Sequence, residues 1–107
     1  MENATTVIFP VGDFTAAIAR QVADSLDDAA AHGRSIVISL QWTARWSWDA
    51  LCDLAESLQG RFRATHISFA QATPAGRSLL GEVGIGSAWF IDEAPTAATR
   101  RILISAP

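Results

Sequence analysis

A chain of 107 residues, half of them hydrophobic, is long enough for one real core and too short for a second, so a single folded domain over 1–107 is expected. A formal charge of -3 with eight basic residues argues against a nucleic-acid partner, which needs a clustered basic face; Arg61 with Arg63 and Arg100 with Arg101 are only small pairs. The lone cysteine, Cys52, excludes an internal disulfide framework, and no apolar run approaches the roughly 18 to 20 residues that span a bilayer, so a cytoplasmic protein without direct membrane insertion is expected.

In chain order, Met1 to Thr6 lacks the basic start and apolar core of a signal peptide. Thr6 to Val11 is an apolar run whose Pro10 suits a strand end, and Gly12 and Asp13 then turn the chain. From Asp13 as N-cap, Phe14, Ile18, Val22, Leu26 and Ala29 recur at intervals of three and four, while Arg20, Asp24, Asp27 and Asp28 face away. The spacing predicts an amphipathic helix to about Ala31, closed by Gly33. Ser35 to Leu40 is a continuous β-branched and apolar run, the pattern of a strand covered on both faces in a parallel sheet. Trp42, Trp46 and Trp48, three of the four tryptophans, crowd the turn that follows. A second helix then starts at the N-cap Ser47, carries Leu51, Leu54, Ala55 and Leu58 on one face, and ends at Gly60.

Phe62 to Phe69 alternates as a third strand. Thr73 and Pro74 match a cap followed by proline at the first helical position, with Leu79, Leu80 and Val83 as the buried side. Gly84 reads as a left-handed stop that brings Ile85 onto Leu80. Ser87 to Ile91 is a fourth strand, Ala94 to Thr99 a small-residue loop and Arg101 to Ser105 a last β-branched run. The order β-α-β-α-β-α-β with a terminal strand, joined by right-handed crossovers, predicts an α/β fold with a mostly parallel central sheet of four to five strands and three helices. Its core should hold Ile8, Ile18, Val22, Leu26, Val37, Ile38, Leu51, Leu54, Leu58, Ile67, Leu79 and Leu80.

No catalytic set emerges. Cys52 lies mid-helix, far in sequence from His32 and His66, and nucleophilic catalysis needs a base beside the nucleophile. No metal-ligand spacing is present, and the fragment GEVGIG follows a helix where a dinucleotide loop would follow a strand, so no cofactor and no enzymatic role are expected. Attention falls on the tryptophan turn, because open α/β folds place function at the carboxyl ends of parallel strands. Its rings suit either interface anchors or inward plugs of the sheet end. Ser47 is both a cap and, with Thr43, a hydroxyl open to phosphorylation; phosphate at a helix N-terminus is electrostatically favoured.

Three segments carry a family resemblance: VGDFTAAIARQVADSL; IVISL with the following turn and LCDL; and ISFAQATPAGRSLLGEVGI. In that order, from about residue 6 to residue 91, they resemble the STAS domain, the fold of bacterial anti-sigma factor antagonists and of the cytoplasmic tails of sulfate transporters. The resemblance implies a STAS-like sandwich and a non-catalytic protein-interaction module for signalling and transcription regulation, with an anti-sigma factor kinase as partner. It implies a partner-binding edge of Trp42, Thr43, Trp46, Ser47, Trp48 and Asp49, with Asp13 and Thr15 beside it. The family's turn usually reads Asp-Ser-Ser/Thr-Gly, and the serine after the aspartate is phosphorylated. Aligned on Leu51 and Leu54, those positions here are Ser47, Trp48, Asp49 and Ala50, so Trp48, which has no hydroxyl, stands at the phosphoacceptor position. Ser39 stands where an aspartate often ends the central strand. Binding without the usual serine phosphorylation is therefore expected.

STAS domains commonly begin with an additional strand and close with a helix, whereas here few residues precede Val7 and Arg100 to Ser105 reads as a strand. That strand is expected to join the sheet in place of the N-terminal strand or final helix, or to form a hairpin with Ser87 to Ile91. Two other roles fit the pattern: a STAS subunit of a lipid-transporting ABC complex that grips the ATPase subunit through the same helix, and a small-ligand binding protein with an apolar pocket near the tryptophans.

Overall fold

The computed structural model describes residues 5–32, 35–61, 67–86, 89–91 and 100–105. The elements are β1 (Thr5–Phe14), α1 (Ala16–Ala31), β2 (Ser35–Ser39), β3 (Thr43–Trp46), α2 (Trp48–Arg61), β4 (Ile67–Ala70), α3 (Pro74–Glu82), β5 (Phe90–Ile91) and β6 (Arg100–Ser105). Every pairing is parallel: β1 lies beside β2, β3 and β6, β2 beside β4, and β4 beside β5. Among the described residues the α/β class, the parallel sheet and the three helices are those expected, but the sheet has six strands. The strand in excess is β3, which occupies the stretch that reads as a turn.

β1 is the axis of the sheet and is longer than its apolar run. It passes through Gly12 at φ +83°, a left-handed conformation that costs glycine little, and its register with β3 shifts between Gly12 and Phe14. From Ile8↔Ile38 to Phe14↔Trp46, β1 advances six residues and its neighbours eight; one of the two extra residues lies between β2 and β3 and the other within β3, at the register shift. Pro10 is thus interior to the strand and not at its end. Pairing with β2 stops at Ile8 and pairing with β3 starts at Gly12, which leaves Pro10 in the gap. Its carbonyl accepts from the Thr43 hydroxyl at 3.1 Å. A strand residue points its N and its C=O to the same edge, so the missing N–H faces that gap as well.

Asp13 does not cap α1, as its position before the apolar repeat suggests. It is an exposed residue of β1, and the cap is Thr15: its Oγ1 accepts from the Ile18 N–H at 3.4 Å and its carbonyl from the Ala19 N–H at 2.9 Å. Strand pairing that buries Phe14 against Trp46 overrides the local cap signal.

α1 and α2 cover one face of the sheet. Ile18, Val22 and Leu26 from α1 and Leu51, Leu54 and Leu58 from α2 pack with Ile8, Ile36 and Ile38 in the main core. All twelve expected core residues are buried except Leu79, which is half-buried against that core. Residues of the opposite pleat, Val7, Phe9 and Val37, form a second, smaller cluster with Ala70. α3 begins and ends as its residues foretell. Thr73 Oγ1 accepts from the Gly76 N–H at 3.0 Å, and Gly84 at φ +94° lets the Ile85 N–H reach the Leu80 carbonyl at 2.9 Å while its own reaches Gly81 at 3.1 Å. This pair of bonds satisfies carbonyls that the helix end would otherwise leave unpaired.

β6 pairs with β1 from Thr6↔Arg100 to Val11↔Ser105, so it joins the sheet beside the first strand. The alternative hairpin with Ser87 to Ile91 does not form; β5 pairs with β4. The first part of the expected third strand (62–66, including His66), residues 87–88 of the fourth, the loop at 94–99 and the stop at Gly33 lie outside the described residues. No described helix is long and apolar enough to cross a membrane.

Candidate functional site: the β3 edge and the first turn of α2

Two backbone bonds hold β3 against the end of β1. The Gly12 N–H donates to the Trp42 carbonyl at 2.9 Å, and the Ser47 N–H donates to the Phe14 carbonyl at 3.0 Å. These bonds bring Asp13 and Thr15 to the edge that carries Thr43, Trp46 and Ser47. Ser47 then occupies the cap position of α2, with its carbonyl accepting from the Leu51 N–H at 3.1 Å. Asp49 is exposed in the first turn, where a carboxylate complements the positive end of the helix dipole.

The three tryptophans of this stretch divide by role. Trp46 is half-buried and packs against the core, its ring 5.1 Å from Phe14. It also meets α3 at Gly76: a Cβ placed there would make an ordinary contact with Trp46 Cζ2 at 3.5 Å, and the tighter neighbour, at 3.2 Å, would be the capping Thr73 Oγ1. Trp42 and Trp48 remain 48% and 51% exposed. Trp42 leans on Phe9 at 4.7 Å between ring centroids, which places it with the pleat opposite the main core. Trp48 is the first residue of α2 and opens on a groove between α2 and the C-terminal end of α3. So one ring is a plug and two are displayed, and neither simple expectation describes all three.

The hydroxyls differ too. Thr43 is half-buried and its hydroxyl already donates to Pro10, whereas Ser47 is half-buried at a helix start. Ser39 is fully buried and donates to the Gln71 Oε1 at 3.0 Å; Gln71 holds φ +57°, an uncommon conformation for a residue with a side chain. The position that resembles the family's aspartate is thereby tied to the end of β4, a link with no local sequence signal. The groove at Trp48 was equally hidden: its volume is about 260 Å³ and its walls are Trp48, Cys52, Ala55, Glu56, Glu82 and Val83. On the exposed end of α1, His32 Nδ1 lies 2.8 Å from the Asp28 backbone carbonyl and 3.8 Å from its carboxylate Oδ1. Among the described residues no three His, Cys, Asp or Glu side chains gather as a metal site.

Compared with known proteins, the chain matches no family model, no curated protein and no solved structure.

Proposed function

We propose that this chain is a non-catalytic interaction module of the STAS type, which docks its Trp42 to Leu51 edge onto a cytoplasmic partner such as an anti-sigma factor kinase, without the usual serine phosphorylation. One observation carries the reading: Trp42 and Trp48, each about half exposed, flank Ser47 on a backbone pinned to the central strand. Tryptophan is costly to leave in water and is enriched among residues that anchor protein interfaces. The occupation of the phosphoacceptor position by Trp48 supports a contact that is constitutive instead of switched.

The test is binding of the purified protein to a candidate ATPase-fold partner, measured by calorimetry. Trp42→Ala and Trp48→Ala are each expected to weaken it by about 2 kcal/mol or more, about thirtyfold, with the circular-dichroism spectrum unchanged. Intact-mass measurement after incubation with that partner and ATP is expected to show no added phosphate. Undiminished binding by both variants would overturn the proposal.

A further inference from the structure

The groove beside Trp48 has a chemical character of its own. It is lined by Trp48, Cys52, Ala55 and Val83 together with two carboxylates, Glu56 from α2 and Glu82 from α3, and no basic side chain lines it among the described residues. Glu56 and Glu82 are both exposed, so neither is a buried structural charge. Glu82 is also poorly placed for the stability of its own helix. It is the last residue of α3, which has no basic residue in its final turn, and a carboxylate there adds to the negative end of the helix dipole. Its charge is therefore better explained by what it faces across the groove than by what it does for α3.

Resting on the docking role above, we infer that this groove receives an arginine or lysine of the partner, carried on a short segment with an adjacent apolar side chain. The cation stacks on the exposed face of Trp48, the preferred aromatic for such contact, while the two carboxylates hold its charged head and the apolar neighbour covers Val83 and Ala55. The mixed character of the groove selects this occupant: an acidic segment would be repelled from both walls, and a wholly apolar one would strand two carboxylates beneath it.

The test uses the full chain and a displayed library of twelve-residue peptides, followed by calorimetry of selected peptides at low and moderate salt. Groove binders are expected to carry arginine or lysine next to a large apolar residue and to shift the Trp48 indole and Val83 amide signals in NMR. Glu56→Gln with Glu82→Gln should weaken them by about tenfold or more, and added salt should do likewise. Glu82→Lys separates binding from folding, because it should abolish binding while leaving the melting temperature equal or higher. Peptides that bind without a basic residue, indifference to the paired glutamine variant, or failure to select any groove binder would each overturn the inference. If the real partner binds the glutamine and lysine variants normally but loses affinity for Trp42→Ala, the groove assignment fails while the docking role stands.

Discussion

Thr6 and Thr43 offer one substitution with opposite expected signs. Thr6 is 2% exposed, and its Oγ1 has no hydrogen-bond partner among the described residues. It sits in β1 with Ile36 as its neighbour in β2 and Arg100 as its neighbour in β6. A buried hydroxyl without a partner keeps its desolvation cost, about 1–3 kcal/mol from substitution data. Thr6→Val removes that cost while retaining shape and the β-branched preference for strand. A gain of about 1–2 kcal/mol is expected, and for a domain of this size each kcal/mol moves the melting temperature by about 4–8 °C.

The same exchange at Thr43 removes a hydroxyl that is in use. Its bond to the Pro10 carbonyl spans 3.1 Å, and Pro10 is buried, so Thr43→Val leaves an acceptor without a donor. A loss of about 1–2 kcal/mol follows from the same accounting. Urea denaturation of the two single variants beside the parent measures both, with an unchanged slope confirming that the folded state has kept its compactness. The reasoning is refuted if Thr6→Val destabilises the fold, or if both variants move stability in the same direction.

Trp46→Ala should behave as a core truncation, with a loss of about 2–4 kcal/mol in denaturation, because the ring fills the space between Phe14 and Gly76; Trp42→Ala should stay within about 1 kcal/mol of the parent. Gly84→Ala should cost about 1 kcal/mol through the left-handed backbone at φ +94°, read as a fall in melting temperature, and a neutral result would contradict the capping role assigned to that residue.

Elements whose cause is local were legible in the residues alone. The Thr73 cap, Pro74 at the helix start, the Gly84 stop with Ile85 returning to Leu80, and the apolar faces of α1 and α2 all arise within a few residues of themselves. What escaped depended on partners distant in the chain. β3 has the burial pattern of a peripheral strand, with Ala44 and Arg45 exposed, and exists because β1 runs on past its apolar stretch to pair with it. The same extension made Asp13 a strand residue and passed the cap to Thr15. β6 was legible as a strand, and its place in the sheet as one of two alternatives, since a β-branched run alone does not specify its neighbour. In the candidate site, the crowding of tryptophans was visible, but which rings would be displayed was decided by Phe9, Phe14 and Gly76.

β3 also changes what a partner would meet. A flexible turn bearing large aromatic rings must be ordered on association, at about 0.5–1.5 kcal/mol per immobilised side chain in addition to the backbone. Here the backbone is already held at both ends by the bonds between Gly12 and Trp42 and between Phe14 and Ser47. Trp46 is locked beneath by Phe14, and Trp42 leans on Phe9. Much of the ordering is thus complete before any encounter, so the exposed rings of Trp42 and Trp48 can contribute most of their contact to affinity. Under the proposed docking role, a segment pinned at both ends favours slow release over regulated release. A device built for rapid switching would leave this stretch loose; the strand that fastens it fits the standing contact proposed above.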